Sequence, residues 1–326
     1  MSAAGPGVTL IAGLGADPRP LGGSRLRVGP LGIGTAALSG SYGAPGAERT
    51  GPSRAEAART LEHALRSGVS LIDTAPAYGD SESLVGAVCA GVDCRIATKL
   101  AIPEGGWGAL PAGAVADRAR RSAQHSLEAL RRDRIDLLQV HNADAELIRR
   151  GEVPAALASL RDDGVALACG ATVYGEENAL AAIACPAFDV VQIAYSALDR
   201  RPERAVLAAA AEHATGLVVR SVLLRGVLSA AGRELAGPFA PLRAAAERFR
   251  VAIGASWAEL PGAAVAFALT RPGIGCTLLG PRDAGELDAL LRGAEPFLER
   301  ARALSGDWDA GLEPRLLDPS RWAELG

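Results

Sequence analysis

The sequence of 326 residues predicts a single-domain α/β protein built as a (β/α)8 (TIM) barrel, and three observations predict it. Short apolar runs that read as buried strands alternate with amphipathic segments of helical length through most of the chain. About eight such strand–helix units occur, which is what a closed barrel requires. Three successive apolar runs each end in a titratable residue, Asp73, Lys99 and His141. That is the pattern of a site built at the carboxyl ends of parallel barrel strands. The alternative, an open doubly wound sheet, is weakened because no Gly-x-Gly-x-x-Gly joins an early strand to a helix.

Met1 to about Pro20 is rich in Gly, Ala and Pro and is expected to be a flexible tail, with residues 21–326 forming the barrel domain. Val8–Ala12 is too short for a signal core, and no Lys or Arg precedes it. Leu26–Val28 and Pro30–Gly34, split at Gly29-Pro30, read as short strands: an N-terminal β-hairpin cap and the first barrel strand. Ser53, with Glu56 three residues on, makes a capping box that opens a helix to about Arg66. Gly68 ends it, and strand Val69–Asp73 follows. Ser81 to about Cys89 reads as a helix and Cys94–Lys99 as a strand. Ala101–Gly113 is a Gly/Pro-rich loop holding Trp107. Ala114–Arg131 is a long amphipathic helix, and Ile135–His141 the next strand. The alternation continues with helix Val153–Asp162, strand Val165–Ala171, helix Glu176–Ala184, strand Val190–Ile193, helix Glu203–His213 and strand Leu217–Ser221. A long insertion to about Thr270 carries helical pieces near 240–250 and 257–269. Gly275–Leu279 is the expected last strand and Gly285–Arg292 the expected last helix.

Apolar residues make up 49% of the chain, enough for one large core. A net charge of −3 leaves no cationic surplus to neutralise phosphates, so nucleic-acid binding is not expected. No apolar run is long enough to cross a bilayer, and no block of like charge marks a partner-binding tail. Neither a membrane nor a protein partner is expected. The five cysteines lack any Cys-x-x-Cys and read as buried free thiols in a reducing cytoplasm. Of the four histidines, His63, His125 and His213 fall in expected helices without ligand spacing, so no metal site is expected.

Tyr78 stands in the loop just after the strand that ends at Asp73. Asp73, Tyr78, Lys99 and His141 together suit carbonyl chemistry. A carbonyl accepting hydride develops negative charge on oxygen and needs a proton donor within hydrogen-bond reach. A free phenol has a pKa of about 10. The Lys99 ammonium is expected to lower it and make Tyr78 the acid. Asp73 then pairs with Lys99, and a neutral His141 orients the carbonyl oxygen.

The run Asp73-Thr-Ala-x-x-Tyr78-Gly-x-Ser-Glu82 resembles the signature of the aldo-keto reductase superfamily. Leu31–Ala36 resembles that family's first strand and Asp136–Asn142 its fourth. Val191–Ser196 and Val219–Gly226 resemble two cofactor-contacting strand ends. The likeness covers about residues 21–300. It implies NAD(P)H-dependent reduction of an aldehyde or ketone, with Asp73, Tyr78, Lys99 and His141 catalytic. It implies cofactor contacts from Gly34, Thr35, Thr172, Gln192, Arg220, Ser221, Leu223, Gly280, Arg282 and Glu286. Arg220 takes a place where many relatives have a ring-stacking Tyr. Val173 stands where the family often has an amide side chain. Gly280–Asp283 resembles the adenosine-phosphate loop, where Arg282 can pair a 2′-phosphate, so NADP is expected over NAD. Glu286 and Leu290 depart from the family's residues there. Ala36, Trp107 and Asn142 are the expected substrate contacts, and the 223–240 segment, Trp308 and Trp322 are further candidates for the mouth. Aromatic content of 4% favours a small or polar carbonyl such as a keto-sugar. The same site can run as an alcohol or sugar dehydrogenase, and some relatives are regulatory subunits that sense cofactor.

Overall fold

The computed structural model describes residues 18–40, 43 and 50–325. Strands β1 (Arg19–Pro20) and β2 (Arg27–Val28) pair antiparallel as a hairpin. Eight parallel strands then close into a barrel: β3 (Leu31–Gly34), β4 (Leu71–Asp73), β5 (Arg95–Lys99), β6 (Ile135–Val140), β7 (Ala166–Thr172), β8 (Val190–Ala194), β9 (Gly216–Arg220) and β10 (Cys276–Leu279). Each bonds to the next, and β10 bonds to β3. The (β/α)8 barrel is therefore the observed fold.

The register explains where the site sits. Side chains alternate with a period of two along a strand. Leu71, Ala97, Leu137, Val190 and Val218 therefore share the inner face with the residues two positions on: Asp73, Lys99, Gln139, Gln192 and Arg220. The first set packs with Leu21, Leu26 and Val28 of the hairpin region as an apolar layer that closes the N-terminal end. The second set lies two positions further along each strand, toward the C-terminal end, with Lys99 level with Gln139. The hairpin is held against β9 by the Gly23 N–H, which donates to the Ala214 carbonyl at 2.6 Å. Gly22 makes this approach possible: its φ is +60°, and a Cβ there would lie 2.2 Å from the Gly216 nitrogen.

Helices cover the outside. The Ser53 capping box opens α1 (Arg54–Arg66), with the Ser53 N–H donating to Glu56 Oε2 at 2.9 Å. Next come α2 (Ser81–Val88), α3 (Ala112–Leu130), α4 (Ala145–Arg150), α5 (Glu152–Asp162), α6 (Glu176–Ile183) and α7 (Val206–Glu212). The long insertion supplies α8 (Ala240–Ile253) and α9 (Leu260–Leu269), and α10 (Ala284–Ala294) and α11 (Leu298–Ala303) complete the set.

Four expectations need correction. Arg19–Pro20 belongs to the hairpin rather than the tail; residues 1–17 of that tail lie outside the described residues. Helix α4 is extra: Asp144 Oδ1 caps it by accepting the Leu147 N–H at 2.7 Å, and Gly151 at φ +85° divides it from α5. Gly285–Arg292 does not hold the last helix, because α11 follows after a turn containing Pro296. Trp308 and Trp322 do not reach the mouth. Trp308 is 3% exposed, stacks among Phe249 and Phe267, and donates from Nε1 to the Ala197 carbonyl at 2.6 Å. Trp322 packs edge-on to Phe239. Both rings gain more from fixing the C-terminal segment than from facing water.

Candidate active site

Asp73 ends β4 and Lys99 ends β5, and adjacent strands bring them together. Lys99 Nζ donates to Asp73 Oδ2 at 2.8 Å and to the Thr74 carbonyl at 2.7 Å. Both side chains are buried, at 5% and 1% exposure. Burial pushes the Lys99 ammonium below its ordinary range, and Asp73 opposes that push. Two amides complete the carboxylate: Gln192 Nε2 donates to Asp73 Oδ1 at 2.8 Å, and Gln139 Nε2 donates to it at 3.3 Å. Gln139 was not among the residues expected at the site. Its inward register two residues after Leu137 was the signal that could have found it.

Tyr78 comes from the β4–α2 loop. The Tyr78 N–H donates to the Ala75 carbonyl at 3.0 Å, and the Ser81 N–H donates to the Tyr78 carbonyl at 3.1 Å. A buried relay of hydroxyls fixes this loop. Thr74 donates to Ser81 at 2.9 Å, Ser81 to Thr35 at 2.6 Å, and Thr35 to the Asp73 carbonyl at 3.1 Å. The Lys99 ammonium lies 5.0 Å from the Tyr78 ring centre, and the His141 ring meets Tyr78 edge-on at 5.9 Å and 88°.

The charges act differently from the expectation for Tyr78. Burial, and then the Asp73 carboxylate, hold its phenol well above the usual phenol range. Lys99 is committed to Asp73, while the Arg220 guanidinium pulls the phenol back down. The Tyr78 hydroxyl thus keeps its proton at neutral pH and can donate it only to a strongly basic oxygen. His141 is pushed down to about 4, by burial first and then by the Lys99 cation. It is neutral above about pH 5 and can donate to a carbonyl oxygen.

The sign of the pH effect follows. Unfolded, His141 titrates near 6.5; folded, near 4. Between those values the unfolded chain binds the proton that the folded chain refuses, so stability falls as pH drops from 6.5 to 4. We predict that His141→Gln loses less melting temperature than the wild type between pH 7 and pH 4.5. Parallel losses would show that His141 titrates normally in the fold.

These groups line a cleft of about 270 Å³, together with Gly34, Ala36, Asn142, Thr172, Gln192, Arg220, Ser221 and Gly280 from the expected set. Asn142 adopts φ +52° just after β6, and its N–H donates to Thr172 Oγ1 at 2.8 Å. Tyr174, absent from the expected set, also lines the cleft. The Arg220 guanidinium lies 4.0 Å from the Tyr174 ring centre and donates from Nη2 to the Val173 carbonyl at 3.2 Å. A second cavity of about 460 Å³ shares Ser221, Leu278, Leu279 and Gly280 with the cleft and is also lined by Leu223, Arg282 and Glu286. Ser221 and Arg225 along it have left-handed φ, at +63° and +52°. Such conformations are held by surrounding structure and gather at ligand sites.

Two expected residues lie in neither cavity. Thr35 is buried in the hydroxyl relay. Trp107 sits in a short helical turn and is 3% exposed within the main core. Burying that indole against the outer helices wins over exposing it at the mouth.

Barrel, cleft and charge pattern define a class: a (β/α)8 protein with a buried Asp–Lys pair, a Tyr and a His gathered at one mouth. Residues 30–298 match the sequence profile of the aldo/keto reductase family, and the chain belongs to that family. It is 31% identical over 207 residues to aldo-keto reductase YhdN of Bacillus subtilis, covering 61% of this chain and 60% of that one. It is 30% identical over 155 residues to L-galactose dehydrogenase of Arabidopsis thaliana, covering 45% of each. The chain thus spans about half the length of these curated relatives. Aldo-keto reductase AKR11C1 of Bacillus halodurans, in its holo form, superposes with a TM-score of 0.72 at 24% identity, covering 91% of this chain and 98% of that one. That likeness concerns the fold.

Proposed function

We propose that the protein is an NAD(P)H-dependent carbonyl reductase that converts an aldehyde or ketone to an alcohol. The observation that carries this reading is the buried Asp73–Lys99 pair at 2.8 Å against Tyr78, with the His141 ring edge-on to Tyr78, in a cleft that adjoins a second cavity. Cleft and second cavity adjoin at Ser221, Leu278, Leu279 and Gly280, which suits an extended dinucleotide reaching from the four residues to the N-terminus of α10. Thr172, Gln192 and Arg220 would hold its nicotinamide end. Ser221, Leu223 and Gly280 would hold its middle. When bound, the cofactor supplies hydride.

The chain's own residues do the rest. His141 donates to the carbonyl oxygen and fixes its angle. Tyr78 gives its hydroxyl proton to that oxygen as charge develops there. Lys99 stays paired with Asp73, and the Arg220 guanidinium, the cation that draws the phenol down, stabilises the phenolate left behind. Asn142 and Tyr174 give the mouth polar edges, which supports a small polar carbonyl or keto-sugar. The name of the L-galactose dehydrogenase relative supports the same substrate class and the reverse direction as a second reading. All five cysteines are unpaired, which supports a cytoplasmic setting.

The test is a screen of NADH and NADPH oxidation over aldehydes, ketones and keto-sugars, with the alcohols and NAD(P)+ in reverse. Turnover of at least one pair, absent in Tyr78→Phe, is expected. Inactivity with every pair in both directions would reject the reading.

A further inference from the structure

The second cavity ends at the N-terminus of α10, and its charged groups there are already committed to one another. Asp283 caps the helix, its Oδ1 accepting the Glu286 N–H at 2.7 Å. Glu286 Oε2 accepts the Arg282 backbone N–H at 2.8 Å and faces Arg282 Nε at 3.5 Å. Arg282 and Glu286 both line the cavity, with Leu290 one turn further along the helix. Arg282 was the residue expected to recognise a 2′-phosphate. In the structure its charge is offset by Glu286. Two of the amides that a phosphate would seek at this terminus, those of Arg282 and Glu286, already donate to carboxylates.

We infer that this end of the cavity, through Glu286, selects NADH over NADPH. The inference rests on the dinucleotide occupying the double cavity, as proposed above. With the reacting end beside Tyr78, the remainder would pass Ser221 and Gly280, which line both cavities, into the 460 Å³ cavity. A ribose hydroxyl is a donor and a carboxylate is an acceptor, so Glu286 in the cavity wall suits a 2′-hydroxyl. A 2′-phosphate brings about two negative charges against Glu286, and Leu290 offers it no hydrogen bond. Like charges set face to face are the usual means of rejecting a wrong partner. This reverses the expectation of NADP over NAD, because the structure sets the Glu286 carboxylate against the Arg282 charge that was expected to meet the phosphate.

The test is direct binding to the full-length protein, by titration calorimetry or quenching of protein fluorescence, with no carbonyl present. NADH is expected to bind at least about tenfold tighter than NADPH, a ratio in keeping with like-charge rejection. Glu286→Gln should tighten NADPH and narrow the ratio, and Glu286→Arg should narrow it further or invert it. The Asp283 cap stays in place in both variants, and unchanged melting would confirm their folding. Equal or tighter binding of NADPH by the wild type would overturn the inference, as would a ratio indifferent to both substitutions. Binding of neither dinucleotide would overturn the proposed function with it.

Discussion

Replacing Tyr78 by Phe is expected to lower kcat by about 10²–10⁴-fold, the usual weight of a positioned proton donor, while cofactor affinity stays the same. The substitution removes one oxygen and keeps the ring that meets His141 edge-on and covers the Lys99 ammonium. Packing is therefore conserved, and the hydroxyl that burial and Asp73 hold protonated is the only group lost. A fall in kcat with little change in KM would mark an interaction made only in the transition state. If KM alone rose, Tyr78 would be a binding residue and the proton would have to come from elsewhere.

Lys99→Met should cost both activity and stability, and the two losses can be separated. Lys99 is buried against Asp73. Removing the ammonium leaves a carboxylate inside the barrel with two glutamine amides and no cation. Breaking a buried pair on one side destabilises by about 3–5 kcal/mol, so the melting temperature should fall clearly. Lys99→Met combined with Asp73→Leu removes both charges. It should recover much of the stability, because replacing both partners with apolar groups is often neutral. Activity should not return, because the buried charge pair packed against the Tyr78 ring is gone. A single variant as stable as wild type would show that the pair is not buried as described. An active double variant would show that it is not part of the chemistry.

Much of the fold was legible because barrel strands are short apolar runs and their ends carry the chemistry. Asp73, Lys99 and His141 stand out as polar residues closing such runs, and Tyr78 follows one of them directly. What strand periodicity could not show is which residues meet across the barrel. Gln139 and Gln192 lie 66 and 119 residues from Asp73 along the chain, yet both donate to it. Gln192 was expected at the cofactor, and it lines the cleft while also holding the carboxylate. Loops were the least legible. Trp107 looks like a mouth residue in a Gly/Pro-rich stretch, but a single helical turn points it into the core. The Arg220–Tyr174 stack depends on two different strand ends and has no local signature. Electrostatic sign also needed the structure. A Lys near a Tyr suggests a lowered phenol pKa until the Asp between them and the loss of water are counted.

Hydride entering a carbonyl in this cleft while Tyr78 supplies the proton can be followed with the reduced dinucleotide carrying deuterium at the transferring position, a carbonyl identified by the screen, and mass spectrometry of the alcohol. One deuterium on the carbinol carbon is expected for the wild type, with a rate of label transfer that collapses in Tyr78→Phe although the cofactor stays bound. An alcohol formed without the label, or labelled at an undiminished rate by Tyr78→Phe, would contradict this chemistry.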